Sequence, residues 1–167
     1  MDDSLLGNGS DSDIYGTQAT FEFSTNLFTI EGFFLTTSLA ARQTIFAKRF
    51  GDLGDGPALY IETTGALTFE ASGGTVATGG SVSINTWYHV AIVRDSANAG
   101  KLYFDGNKIG ADGTVNSDFV GDYLHIMSNG DGGSYLAGSV AAIRVTTGVA
   151  RYTGATYAIP TLPLPTS

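Results

Sequence analysis

Apolar residues fall in short runs rich in Val, Ile, Phe, Tyr and Thr, and Gly, Asp, Asn and Ser separate the runs. No long stretch repeats apolar residues at i, i+3, i+4 and i+7, so amphipathic helices are not predicted. Short runs with frequent turn signals predict an all-β sandwich or barrel. The strands expected span 19–23, 28–36, 44–50, 58–62, 66–71, 81–84, 87–95, 101–104, 107–110, 123–127 and 139–145. Residues 1–18 are rich in Gly, Ser and Asp and read as a loosely held segment with a short strand at 4–6. Residues 19–158 form the domain proper. Residues 159–167 carry three prolines and cannot sit inside a sheet, so they are expected to run extended over the surface.

Two hairpins can be read in register. Asp105-Gly106 is a two-residue turn signal whose left-handed backbone suits Asp-Gly. It pairs Phe104 with Asn107, Tyr103 with Lys108 and Leu102 with Ile109. Leu102, Phe104 and Ile109 then face the core, with Tyr103 and Lys108 stacked on the other side. In the second hairpin a three-residue loop, Thr63-Thr64-Gly65, pairs Glu62 with Ala66 and Ile61 with Leu67. That register buries Leu59, Ile61, Leu67 and Phe69 and turns Tyr60, Glu62, Thr68 and Glu70 outward.

Composition narrows the function classes. The 167 residues include 8 Lys+Arg and 16 Asp+Glu, for a net charge of −8, and only 14% are charged. Without a basic cluster the chain is a poor match for phosphate backbones, so nucleic acid is not an expected partner. No run is apolar over the roughly 20 residues that a spanning helix needs, so no membrane insertion is expected. Met1-Asp2-Asp3 lacks the basic and apolar regions of a signal peptide. With no Cys, thiol catalysis, disulfides and cysteine-ligated zinc are excluded.

Several stretches resemble a known family. Phe28-Thr29-Ile30-Glu31-Gly32-Phe33-Phe34 is similar to an FTIE-x-W strand, with Phe33 or Phe34 where the family usually has Trp. Residues 43–48 (QTIFAK), 87–95 (WYHVAIVRD) and 102–106 (LYFDG) follow in the same order, and 135–145 (YLAGSVAAIRV) resembles the closing strand. Together they resemble laminin G-like domains of the concanavalin A-like lectin/glucanase superfamily. That resemblance implies a two-sheet antiparallel jelly-roll sandwich. Residues 148–153 (GVARYT) and the Pro-rich end resemble the tail of such domains in bacteriophage structural proteins. This implies a non-enzymatic virion surface protein, made in the host cytoplasm, with capsid or other virion proteins as partners. A lone domain suits a capsid decoration or small head appendage, working as a homo-oligomer. The alternative is a glycan-binding adhesin or tail-fibre module for host attachment, with calcium as its candidate aid.

Candidate chemistry is sparse. Family members that cleave glycans use paired carboxylates about 5–9.5 Å apart. Glu70 falls opposite Ala58, so its backbone lies about 13 Å along the strand from Glu62, and no catalytic pair is expected. Asp pairs such as Asp11/Asp13 lie in loops. His89 and His125 lack a nucleophile and an orienting carboxylate in sequence reach, and read as structural residues. Some relatives hold calcium at the sandwich rim through oxygen ligands from flexible loops. Asp131 and Asn129, then Asp52 and Asp55, are the calcium candidates here, although Asp, Asn and Gly also simply form turns. A sugar platform would draw on Tyr60, Tyr103, Tyr123, Tyr135, Tyr152 and Tyr157, which the sequence cannot sort into exposed and packed.

Overall fold

The computed structural model describes residues 5–8, 14–16, 21–48, 55–120 and 123–161, the first two stretches as backbone strands. Among the described residues twelve strands run in chain order: β1 (Leu5–Asn8), β2 (Ile14–Gly16), β3 (Phe28–Thr36), β4 (Gln43–Ala47), β5 (Ala58–Ile61), β6 (Leu67–Ala71), β7 (Gly74–Gly79), β8 (Tyr88–Arg94), β9 (Ala99–Phe104), β10 (Asn107–Thr114), β11 (Leu124–Ile126) and β12 (Ala137–Thr147). They build two antiparallel six-stranded sheets, ordered β1-β12-β3-β8-β9-β10 and β2-β11-β4-β5-β6-β7. Among the described residues no helix is long and apolar enough to cross a membrane.

Alternation along the central strands makes the core. Phe28, Ile30 and Phe34 of β3, Val90 and Ile92 of β8, and Leu102 of β9 point inward from the first sheet. Phe46, Leu59, Ile61, Leu67 and Phe69 meet them from the second. Among the described residues 24 buried side chains form this core, and its Val, Leu, Ile, Phe and Met members, each worth roughly 1.5–3 kcal/mol when fully buried, hold the sandwich against its chain entropy. At one end of the sandwich Arg94 is almost fully buried. Its guanidinium donates to the carbonyls of Ser24 (2.6 Å), Asn26 (2.7 Å) and Ser117 (2.9 Å), tying two loops together.

Both hairpins adopt the expected registers, Tyr103↔Lys108 in one and Ile61↔Leu67 in the other. Asp105 and Gly106 both have positive φ, 44° and 80°. Gly106 is required twice over, because a Cβ there would lie 2.8 Å from the Tyr157 carbonyl.

Three expectations need correction. Residues 21–23 carry no strand; Ser24 makes only an isolated bridge to Phe119, and 19–20 lie outside the described residues. The strand expected at 81–84 is a loop, and β7 is the edge strand instead. With Gly at both ends and only Val76 and Ala77 buried, β7 lacks the long apolar alternation that marks a strand. In the N-terminal segment the expected short strand is observed as β1, against β12, and β2 adds a further one against β11. Finally, Tyr103 does not stack on Lys108. It is fully buried on the outer side of its sheet, because the chain after β12 returns across that surface.

That returning segment is bonded along its length. Gly148 donates to the Leu27 carbonyl (2.7 Å), and Thr29 Oγ1 donates to Val149 O (3.0 Å) while accepting from Arg151 N (3.0 Å). Further along, Tyr103 donates to Gly154 O (2.9 Å) and Tyr157 N donates to Gly106 O (2.8 Å). One face of the sandwich is thereby sealed; on the outer face of the other sheet Ala47, Ala58 and Tyr60 are also buried, and Arg42, Glu62 and Glu70 keep partial contact with solvent.

Candidate functional site

Two clusters of carboxylate, arginine and tyrosine occupy the two outer faces. On the first sheet Glu31 is central and fully buried. An irregularity in β12 between Ala141 and Arg144, where Ala142 takes a φ of 50°, sets Arg144 opposite Glu31. Arg144 then donates twice to Glu31 Oε1, at 2.9 and 2.7 Å. Tyr152 donates to Oε2 at 2.6 Å, and His89 Nε2 lies 3.3 Å from the same oxygen. The His89 Nδ1 meets the Tyr157 hydroxyl, and Tyr152 and Tyr157 stack with centroids 3.9 Å apart. Burial alone would raise the Glu31 carboxyl, but bonds from His89, Tyr152 and Arg144 outweigh it and hold it below the usual carboxylate range. Burial pushes both tyrosine hydroxyls far up, with Glu31 as a further cause at each, so they stay protonated. Every member faces another member, and the returning segment covers them. This cluster fastens that segment and offers little room for a ligand.

On the second sheet the charges are inverted and more open. Arg42, just before β4, places its guanidinium carbon over the Tyr60 ring, 3.7 Å from the centroid. Its Nε donates to Glu62 Oε1 at 3.1 Å, and its Nη2 donates to Glu70 Oε1. The arginine side chain is 28% exposed, Glu62 32% and Glu70 18%, so all three edges reach solvent. Partial burial works against the guanidinium charge, but Glu70 and Glu62 outweigh it and raise its affinity for the proton. Stacking and two charge-assisted bonds fix the group in one orientation. The backbone spacing predicted for Glu62 and Glu70 holds, with Glu70 opposite Ala58. Their side chains nonetheless converge on one guanidinium. Both carboxylates bond Arg42, so their side chains come closer together than the backbone spacing alone implies.

A loop borders this face. Thr44, which pairs with Tyr60 across β4 and β5, donates its backbone N–H to Ser134 O at 2.6 Å. Residues 128–134 thus run beside β4 and fold over His125. Gly130 packs so closely that a Cβ there would lie 2.5 Å from the imidazole. Tyr123, 42% exposed, stands edge-on to His125 with centroids 6.3 Å apart, and Tyr135 is half-buried at the loop's end.

The calcium candidates are scattered. Asn129 is buried within the loop, and Asp131 is exposed with Oδ1 accepting from Gly133 N at 3.0 Å, a turn-forming role. Asp55 is exposed and, with Lys48, Asp118, Phe119 and Val120, lines a cavity of about 200 Å³. Asp52, Asp11 and Asp13 lie outside the described residues. Among the described residues no three histidine or acidic side chains converge as metal ligands. The tyrosines now sort: Tyr60 and Tyr103 are fully buried, Tyr152 and Tyr157 stack on each other, Tyr135 is half-buried, and Tyr123 is 42% exposed beside His125. Sequence reading missed Arg42. The signal was available, since two outward glutamates on paired strands call for a cation beside them.

A model of the concanavalin A-like lectin/glucanases superfamily matches residues 8–150. No curated protein matches the chain. Among solved structures, the CBM40 of Ruminococcus gnavus IT-sialidase, bound to alpha2,3 sialyllactose, is 21% identical with a TM-score of 0.59. That match covers 77% of this chain and 79% of the other. The heptameric SAP-like pentraxin of Limulus polyphemus is 14% identical with a TM-score of 0.61, over 84% of this chain and 71% of the pentraxin. Trypanosoma rangeli sialidase is 15% identical with a TM-score of 0.69, over 87% of this chain but 25% of the sialidase. The chain belongs to the concanavalin A-like lectin/glucanases superfamily and has its lectin-like, all-β sandwich fold.

Proposed function

We propose that this domain is a non-catalytic carbohydrate-binding module whose ligand lies on the outer face of the second sheet. The observation that carries the reading is the Arg42 guanidinium, stacked on Tyr60 and braced by Glu62 and Glu70, yet still reaching solvent. Sugars present alternating hydroxyl donors and acceptors on a ring with apolar faces. A fixed guanidinium supplies donors, the carboxylates supply acceptors, and the exposed Tyr123 supplies a stacking face. Because the groups are held before the ligand arrives, little ordering entropy opposes binding. The CBM40 neighbour, captured with a sialylated sugar, and the lectin-like fold support glycan recognition as the activity of the domain. The test is a glycan array probed with the purified protein, with calcium and with chelator. Binding lost on Arg42→Ala supports the reading, and a blank array in both conditions sinks it. Binding only with calcium would bring Asp131 and Asn129 into the site.

A virion setting is the second part of the proposal. The closing segment 148–153 (GVARYT) resembles the tail of phage structural domains, and it supplies Tyr152 and the Thr29 contacts that seal the first sheet. This favours a capsid decoration, small head appendage or tail-fibre module on a phage surface, working as a homo-oligomer. Peptide mapping of purified particles is the check; absence of the protein from the virion would refute the setting while leaving the glycan reading intact.

A further inference from the structure

Resting on that glycan-binding reading, we infer that the site selects uncharged glycans and discriminates against sialylated or otherwise anionic ones. Anionic sugars are normally held by an arginine or lysine that can turn its donors to the ligand carboxylate or sulfate. Among the described residues the cations are already committed. Arg42, on the face itself, donates to two carboxylates. Lys48 is 1% exposed, with Nζ turned toward the Phe23 ring. Arg94 is buried on backbone carbonyls. Lys101 bridges Asp95 and Asp112, and Lys108 bonds Asp112 as well. Arg144 and Arg151 lie on the opposite face, Arg144 on Glu31 and Arg151 on Thr146 with Glu31 4.0 Å away. Arg49 lies outside the described residues.

An incoming carboxylate would therefore have to displace Glu62 or Glu70 and still face the one that remains. Asp131, exposed on the bordering loop, adds a further negative charge, and the whole chain carries −8. A neutral sugar meets neither obstacle. Its hydroxyls donate to the carboxylates and accept from the guanidinium, leaving the Arg42 pairs in place.

The experiment is an array carrying neutral glycans beside their sialylated and sulfated counterparts, read in chelator at about 150 mM salt, where screening acts over roughly 8 Å. The wild-type protein is expected to bind a neutral glycan about tenfold or more tightly than its sialylated counterpart. Glu62→Gln/Glu70→Gln is expected to narrow that gap several-fold, and Glu62→Gln alone, at the more exposed position, to narrow it less. Melting curves confirm that each variant is folded. Equal or tighter wild-type binding to the sialylated member, or a gap unchanged in the variants, overturns the selectivity and leaves glycan binding standing. A blank array overturns the binding reading and the selectivity with it.

Discussion

The two outer faces use the same three residue types to opposite ends. On the first sheet a carboxylate sits at the centre, fully buried, and Arg144, His89 and Tyr152 surround it. On the second an arginine sits at the centre, with Glu62 and Glu70 around it and all three partly exposed. What separates them is cover. Residues 148–157 cross the first face, and their bonds to Thr29, Tyr103 and Gly106 turn its polar cluster into a fastening. A buried charge network is tolerated only when every member is paired, and this one is closely paired. The second cluster is equally ordered but remains accessible, so its donors and acceptors can be shared with a ligand. Similar chemistry thus fastens a segment on one side and, in the function proposed, serves recognition on the other.

The largest expected effect lies on the sealed face. Glu31→Ala leaves a buried arginine and two neighbouring donors without their acceptor, and is expected to cost about 3–5 kcal/mol of stability. Denaturant unfolding checks this; a loss below about 1 kcal/mol would show that the backbone bonds alone hold the returning segment. Tyr152→Phe removes one bond to a charged oxygen and is expected to cost about 1.5–3 kcal/mol, measured the same way.

Acid should act through the same carboxylate. The folded Glu31 carboxyl lies below its unfolded value, so its contribution is complete above about pH 4.3 and drains as pH falls through the folded value. Asp95, drawn down by Lys101 and two backbone N–H groups against its partial burial, acts in the same direction. Stability measured across the acid range is expected to fall less steeply in Glu31→Gln than in wild type. An unchanged slope would remove Glu31 from the acid response. The smallest stability effect is expected at the open face. Arg42→Ala breaks two partly exposed ion pairs and should cost about 1 kcal/mol or less, although it removes the proposed binding group. A loss as large as that of Glu31→Ala would break the contrast between the faces.

Much of the framework was legible in the sequence. The nine residues of β3 and the Asp105-Gly106 hairpin register follow from alternation and turn chemistry, which are local. Edge strand β7 escaped because Gly74, Gly79 and two threonines mask its short apolar pair. The outer faces were harder still. Alternation marks Glu31, His89 and Tyr103 as outward, but only the path of residues 148–157 decides that outward means buried there. Tyr60 was legible as an outward ring, yet its availability depends on Arg42, which reaches it from outside the strand. The site therefore depends on contacts between distant segments, where periodicity carries no information.

The central claim is that ligand binding belongs to the second sheet alone. NMR titration of the labelled protein with a glycan selected from the array tests it residue by residue. The account expects shifts concentrated at Arg42, Thr44, Tyr60, Glu62, Glu70 and the 128–135 loop, with β8 and β9 unmoved. Shifts centred on Glu31, His89, Tyr152 and Tyr157 would contradict it.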